Sequence, residues 1–286
     1  MLIRDMQKER GFTFSCEIFP PKMGTELPRV FEIASKIAAL KPDFISVTCG
    51  AAGNTTRNTE EIAHHIQQQS VAALAHVTCV AASKEQTAKL LDDLESKGVS
   101  NVLALRGDLP DGAGQTADGH YRYASKLVAD IKARGGFCIG GACYPEGHVE
   151  CDSQEKDIEH LKQKVDAGCD FLTTQMFFDN NVMYKFLYKL SQKGIDVPVI
   201  AGIMPVTNKK QIKRIVKISG TVLPPRFQNI LEKFGDDPAA MQQAGIAYAT
   251  EQIIDLIAND VRGIHVYAMN KPEIVSRIMA NLSHII

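Results

Sequence analysis

The stretch Cys138–Phe177, CIGGACYPEGHVECDSQEKDIEHLKQKVDAGCDFLTTQMF, decides the fold. It opens on a short apolar run, Cys138–Cys143, passes through an amphipathic segment, Gln154–Ala167, and closes on a second apolar run, Phe171–Phe177. Gly168 stands just past the amphipathic segment, where a helix C-cap takes positive φ. Strand, helix and strand in that order are the repeating unit of parallel α/β architecture.

The rhythm continues in both directions. Strands are predicted at Thr13–Phe19, Phe44–Thr48, Ala73–Cys79 and Asn101–Leu105 before this stretch, and at Val197–Met204 and Ile264–Tyr267 after it. Helical patterns follow them at Leu27–Leu40, Thr59–Gln69, Lys84–Lys97, Ala124–Arg134, Val182–Lys193, Lys209–Ile218 and Pro272–Leu282. Gly98, Gly135 and Gly194 repeat the C-cap signal. Between Gly220 and Gly263 lies extra helical sequence, Pro225–Phe234 and Pro238–Asn259, which reads as an insertion plus the helix leading into the last strand. Eight βα repeats, with no GxGxxG after the first strand, predict an α/β protein of the (β/α)8 TIM-barrel class instead of an open doubly wound sheet. No linker or composition shift divides residues 1–286, so they read as a single barrel domain with extra helices before the last strand.

With 286 residues, a net charge of -1 and a pI near 6.7, the chain shows no basic field that would advertise nucleic acid or an anionic membrane as a partner. The first residues, MLIRDMQKERGF, lack the apolar core of a signal peptide. No stretch approaches the roughly 20 apolar residues that span a bilayer. The seven cysteines form no CxxC pair and read as reduced thiols of a cytoplasmic protein, with no metal site built from them.

Barrel enzymes carry their chemistry at the C-terminal ends of the strands. The polar residues predicted there are Glu17, Thr48, His76, Arg106, Asp108, Tyr144, His148, Gln175 and Asp179. Glu17 interrupts the apolar strand FTFSCEIFPP, where a buried carboxylate must be paired or kept protonated. It is therefore an acid presented to a site, or a structural carboxylate meeting an inward Lys or Arg. On spacing alone Arg106–Asp108 reads first as a turn with Asp108 capping nearby amides, and a lone strand histidine such as His76 as a neutral core residue. Gln175, among Phe171, Met176, Phe177 and Phe178, needs several hydrogen-bond partners that a heterocycle would supply. The pair His64–His65 reads as solvated helix surface.

Taken in order, the segments CEIFPPK, DFISVTCG, AHVTC, ALRGDLP, YASKLVADI, ACYPEGH, LKQKVDAGCDFLTTQMFFD, AGIMPVTNKKQ and IHVYAMN make the chain resemble the methylenetetrahydrofolate reductase family, in its short bacterial form. The combination of EIFPP, RGDLP, YPEGH and TTQMFF carries the likeness. The resemblance implies noncovalent FAD and ping-pong hydride transfer from NAD(P)H, or from a partner protein that donates electrons, to 5,10-methylenetetrahydrofolate. It implies that Glu17 protonates the ring nitrogen that leaves as the iminium forms, and that Asp108 tunes the flavin and stabilises that cation. Flavin contacts are implied at Thr48, Cys49, Ala51, His76, Arg106, Gly107, Asp108, Tyr123, Ala124, Tyr144, His148, Asp157, His160 and Lys164. Substrate contacts are implied at Glu17, Gln175, Gln211 and Lys271, and family precedent implies a homo-oligomer.

Four positions depart from the family pattern. Cys49 stands in place of a tyrosine, His160 of an asparagine, Ile215 of a phenylalanine and Lys271 of an arginine. The loss at Ile215 removes stacking surface, and Lys271 keeps a charge without the guanidinium fork. Two rival readings are a proline-type flavin dehydrogenase on the same barrel and a noncatalytic folate- or flavin-binding subunit of an electron-transfer complex. A lyase built on a metal or Schiff base finds no ligand cluster and no strand lysine to work with.

Overall fold

The computed structural model describes residues 1–21, 27–49, 56–80, 82–107 and 119–286. Eight parallel strands pair in chain order: β1 (Thr13–Ile18), β2 (Phe44–Val47), β3 (Ala72–Thr78), β4 (Asn101–Leu105), β5 (Cys138–Cys143), β6 (Phe171–Thr174), β7 (Val199–Ile203) and β8 (Gly263–Val266). The last closes on the first, with Ser15 opposite His265, so the sheet is a (β/α)8 barrel without edges. Around it run α1 (Ile3–Arg10), α2 (Leu27–Ala38), α3 (Thr56–Gln68), α4 (Lys84–Ser96), α5 (Ala124–Arg134), α6 (Gln154–Asp166), α7 (Asn180–Gln192), α8 (Lys209–Ser219), α9 (Pro225–Phe234), α10 (Pro238–Ala258) and α11 (Pro272–Leu282). Among the described residues, no helix is long and apolar enough to cross a membrane.

Alternation along each strand separates two cores. Outward residues such as Cys16, Ile45, Val77, Val102, Ile139 and Leu172 pack beneath the helices. Inward residues Phe44, Leu74, Leu103, Phe171 and Ile200 fill the lower barrel together with Ile3 and Met6 of α1. That helix was not predicted: eight residues with two buried apolar positions give too short a period to register. It closes the N-terminal end of the barrel. Ile3 N–H donates to Asn101 Oδ1 at 2.9 Å, and the Asn101 amide reaches the Met1 and Ala73 carbonyls. Arg4 adds an ion pair to Asp170 at 3.2 Å.

Strand seven feeds an unusual connection. The long helix α10 packs against both α7 and α11, so it occupies the place in the outer ring that a helix directly after β7 would take. Helix α8, predicted as that ring helix, instead joins Ile212, Ile215 and Val216 to Met176, Phe178 and Val206 in a cluster beyond the strand ends. Phe227 of α9 stacks on Phe178 in the same cluster, with ring centres 5.1 Å apart. Gly245 lets α10 close in here, because a Cβ at that position would overlap the Val206 carbonyl.

The sixth strand ends at Thr174, three residues before the predicted limit. Gln175 leaves the sheet because its own Oε1 accepts the Met176 N–H at 2.9 Å. The histidine pair is also different from expectation. His65 bonds Ser35 Oγ at 2.8 Å and stacks on Phe31, while His64 meets the Lys97 carbonyl, so both tie helices together instead of facing water.

Candidate active site

The C-terminal end of the barrel holds an acid with no ion-pairing Lys or Arg among the described residues. Glu17 is 7 % exposed on the inner wall of β1. The predicted alternative, an inward Lys or Arg beside it, is not found among the described residues; His76 of β3 lies 3.7 Å away. That separation is too long for a hydrogen bond. Burial raises the Glu17 carboxyl to about 8 and lowers the His76 imidazole to about 3. At neutral pH the pair is thus a protonated acid beside a neutral ring.

Two buried polar atoms on the inner wall at this end of the barrel have no partner among the described residues. His76 Nε2 and Thr173 Oγ1 make no hydrogen bond. Thr173 lies on β6, across the barrel from β3. Tyr267, which follows β8, was missed by sequence reasoning although it lies inside IHVYAMN. Its hydroxyl donates to the Thr174 carbonyl at 2.6 Å, and burial followed by the field of Glu17 pushes its pKa well up.

The predicted flavin residues gather on the β2–β6 side. Thr48 and Cys49 leave β2; the Thr48 carbonyl accepts from Thr59 Oγ1, and Cys49 Sγ lies 3.8 Å from Thr78 Oγ1. Arg106 leaves β4 and grips Glu150 with two nitrogens, at 2.5 and 2.7 Å. Gly107 adopts φ +81°, and a Cβ there would press on Val80 and Thr78 at 3.0 and 3.1 Å. After β5, Tyr144 meets His148 edge-on with ring centres 4.6 Å apart. His148 N–H donates to Asp157 Oδ2 at 3.2 Å, pinning the YPEGH loop to the first turn of α6. Burial raises Asp157 and lowers His148. Lys164, two turns along α6, donates to the Ala142 carbonyl, while His160 stays exposed. Tyr123 is exposed as the N-cap residue of α5, next to Ala124.

On the opposite side a depression opens between the ends of β7 and β8, lined by Met204–Asn208, Gln211, Ile215 and Met269. Lys271 Nζ donates to Thr207 Oγ1 at 2.9 Å on its rim. Asn270, also missed, takes the Phe19 N–H and donates to the Phe19 carbonyl at 2.8 and 2.9 Å, locking the loop after β8 to the exit of β1. The structure therefore brings Glu17 and His76 into one chamber, with Gln175 half-buried at the exit of β6. Asp179, in contrast, serves as N-cap of α7 by accepting the Asn181 N–H at 2.9 Å. Ala51 and Asp108 lie outside the described residues.

Comparison with known proteins adds an independent line. A family model described as methylenetetrahydrofolate reductase matches residues 2–283. A 5,10-methylenetetrahydrofolate reductase of Escherichia coli K12 is 33% identical over 91% of this chain and 86% of its own length. A methylenetetrahydrofolate reductase (NADH) of Arabidopsis thaliana is 34% identical over 98% of this chain and 50% of its own; the chain spans about half the length of such plant relatives. A solved structure of an uncharacterized Clostridium thermocellum protein that binds 5-methyl-5,6,7,8-tetrahydrofolic acid superposes with a TM-score of 0.65. It covers 100% of this chain and 99% of its own, and at 14% identity the likeness is one of fold. With a family model spanning nearly every residue and a bacterial relative aligned over most of both chains, the protein belongs to the methylenetetrahydrofolate reductase family.

Proposed function

We propose that this chain reduces 5,10-methylenetetrahydrofolate to 5-methyltetrahydrofolate with FAD as its prosthetic group. The observation that carries the reading is Glu17, a carboxyl kept protonated to about pH 8 at the inner wall of the barrel mouth. The bridging methylene accepts hydride poorly until its five-membered ring opens to an iminium. A proton given to the departing ring nitrogen drives that opening, and a buried acid with a raised pKa holds one at working pH. His76 stays neutral beside it, so no fixed positive charge draws the proton off. The second predicted carboxylate, Asp108, takes the role of stabilising the cation once formed.

The residues present fit a flavin nucleotide. His76 Nε2 and Thr173 Oγ1 are buried with no partner among the described residues, which a polar heterocycle would correct. Lys164 lies with Arg106 on one side of the mouth, two cations suited to a diphosphate, with His148 beside them as a neutral ring. Arg106 already meets Glu150, so binding there exchanges one anion for another. Thr48, Cys49, Ala51, Gly107, Tyr123, Ala124, Tyr144, Asp157 and His160 complete the proposed cofactor set. When bound, FAD supplies the hydride; the chain's residues orient the folate, exclude water and deliver the proton. Gln175 bonds the pterin, while Gln211 and Lys271 hold the substrate side.

The electron donor is NAD(P)H or a partner protein, and the setting is a cytoplasmic homo-oligomer. The test uses purified protein, anaerobic and photoreduced. Addition of 5,10-methylenetetrahydrofolate should restore the oxidised-flavin spectrum and form 5-methyltetrahydrofolate. A flavin that stays bleached would move the substrate and favour proline-type chemistry; a protein that cannot hold FAD would favour a noncatalytic subunit. NADH or NADPH, added separately to the oxidised protein, identifies a nicotinamide donor by bleaching.

A further inference from the structure

Side chains hold β6 to β7 at the point where the ladder between them stops. Backbone pairing of the two strands ends at Thr173, opposite Ile200. One residue on, the Gly202 N–H donates to Thr174 Oγ1 at 2.8 Å, and the Thr174 carbonyl takes the Tyr267 hydroxyl at 2.6 Å. Tyr267 follows β8, so its ring must cross β7 to reach β6. Gly202 lets it pass. A Cβ there would stand 2.4 Å from the Thr174 carbonyl oxygen, and 2.6 and 2.7 Å from Tyr267 Cε2 and Oη. The ring also meets His265 edge-on with centres 5.3 Å apart, and the Tyr267 N–H donates to the Ile203 carbonyl at 2.9 Å. A side chain led across the sheet in this way has a fixed endpoint, the peptide between Thr174 and Gln175.

That peptide is gripped from both sides. Its carbonyl accepts from Tyr267, and its N–H, which belongs to Gln175, donates to the Cys143 carbonyl of β5 at 2.8 Å. Gln175 then folds back locally, with Oε1 accepting the Met176 N–H at 2.9 Å. The amide oxygen is occupied, and Nε2 has no partner among the described residues, so Gln175 leaves the sheet as a fixed donor. The Tyr267 hydroxyl also lies in the field of Glu17, which puts this strut at the wall of the acid's chamber.

We infer that Tyr267 is a positioning residue for the folate half-reaction: by holding the Thr174 carbonyl, it fixes the peptide from which Gln175 presents its amide to the pterin. The inference rests on the folate reading above. It sets Tyr267 apart from a tyrosine that only braces the barrel. Tyr248 supplies the comparison, since its hydroxyl donates to the Phe178 carbonyl at 2.5 Å, just beyond Gln175 in the same segment.

Stopped-flow reoxidation of the photoreduced holoprotein by 5,10-methylenetetrahydrofolate, over a range of folate concentrations, tests it. Tyr267→Phe should raise the folate concentration for half-maximal rate about tenfold and leave the limiting rate within about threefold, with FAD content unchanged. Gln175→Ala should raise that concentration likewise. Adding Tyr267→Phe to Gln175→Ala should raise it no further, because the tyrosine acts through the amide. Gly202→Ala, which drives the ring off the carbonyl while keeping its hydroxyl, should reproduce the effect of Tyr267→Phe. Tyr248→Phe should lower the thermal midpoint and change neither constant. Effects of Tyr267→Phe and Gln175→Ala that multiply overturn the inference. So does a Tyr267→Phe protein that takes folate normally, or a loss that Tyr248→Phe matches. If folate does not reoxidise the unaltered protein, the functional reading falls and this inference with it.

Discussion

Two histidines inside the barrel have similar burial and opposite bonding. His265 on β8 and His76 on β3 are both held neutral by desolvation, with pKa lowered to about 3. His265 is held at both ring nitrogens, Nδ1 by Ser15 Oγ at 2.8 Å and Nε2 by Ser46 Oγ at 3.1 Å. Since Ser15 donates to the Ile264 carbonyl, the network assigns the proton to Nδ1 and makes Ser46 a donor to Nε2. His76 Nε2 has no hydrogen bond among the described residues and lies 3.7 Å from Glu17. A buried donor or acceptor left unpaired is expensive. The fold met that requirement for His265 and left it open one layer away, beside the acid. The first histidine is scaffold; the second is the one whose open nitrogen the proposed flavin would satisfy.

The strongest way to break this contrast is to remove the proton beside His76. Glu17→Gln should slow oxidation of the reduced protein by 5,10-methylenetetrahydrofolate by about 10²–10⁴-fold, the range of general acid catalysis. FAD content and reduction by the donor should persist, because the amide keeps the shape. Stopped-flow absorbance on the isolated half-reaction measures it; a loss smaller than tenfold removes Glu17 as the acid. The unaltered protein should also lose rate above about pH 8, as Glu17 ionises, and the variant should lack that limb.

Next come the histidines themselves. His265→Leu strips the partners from Ser15 and Ser46 inside a packed barrel and should destabilise the cofactor-free protein by about 2–3 kcal/mol in urea unfolding. His76→Leu removes no bond through Nε2 and should cost under about 1 kcal/mol in the same assay, while FAD retention on gel filtration falls. Equal destabilisation by both variants, with FAD retained, would abolish the distinction drawn between them.

Much of this was readable in the chain, for reasons that also explain what was not. Cys138–Cys143 and Ala124–Arg134 have the predicted bounds because turn signals close on both sides. Strand ends were overrun at β6, where Met176, Phe177 and Phe178 extend the apolar run into side-chain packing after the sheet has stopped. Glu17 was visible as a charge in an apolar strand, but its partner was not. Period-2 alternation gives the face of His76 without saying which strand it meets. Tyr267 and Asn270 act through contacts to β6 and β1, far away in sequence, and nothing local marks them.

The smallest effect, and the one that sharpens the comparison most, is the pH dependence of stability. Glu17 has its pKa raised from 4.5 to about 8, so its contribution is complete below 4.5 and is lost as pH rises through 8. His76 and His265 are lowered from 6.5 to about 3, so theirs is complete above 6.5 and lost as pH falls towards 3. Between pH 6.5 and 8 the histidines are neutral in both states, and Glu17 dominates this set: the folded state holds a proton that the unfolded chain has released. Unfolding free energy should therefore fall by about 1.4 kcal/mol per pH unit from this residue across that window. In Glu17→Gln that slope should be absent, whereas the acid-side loss below pH 6.5 should remain because it belongs to the histidines. Urea titrations of both proteins at pH 5, 6.5 and 8 compare the two. A slope that survives the substitution would mean that another group holds the proton across this window, and would remove Glu17 as the acid kept protonated in the folded protein.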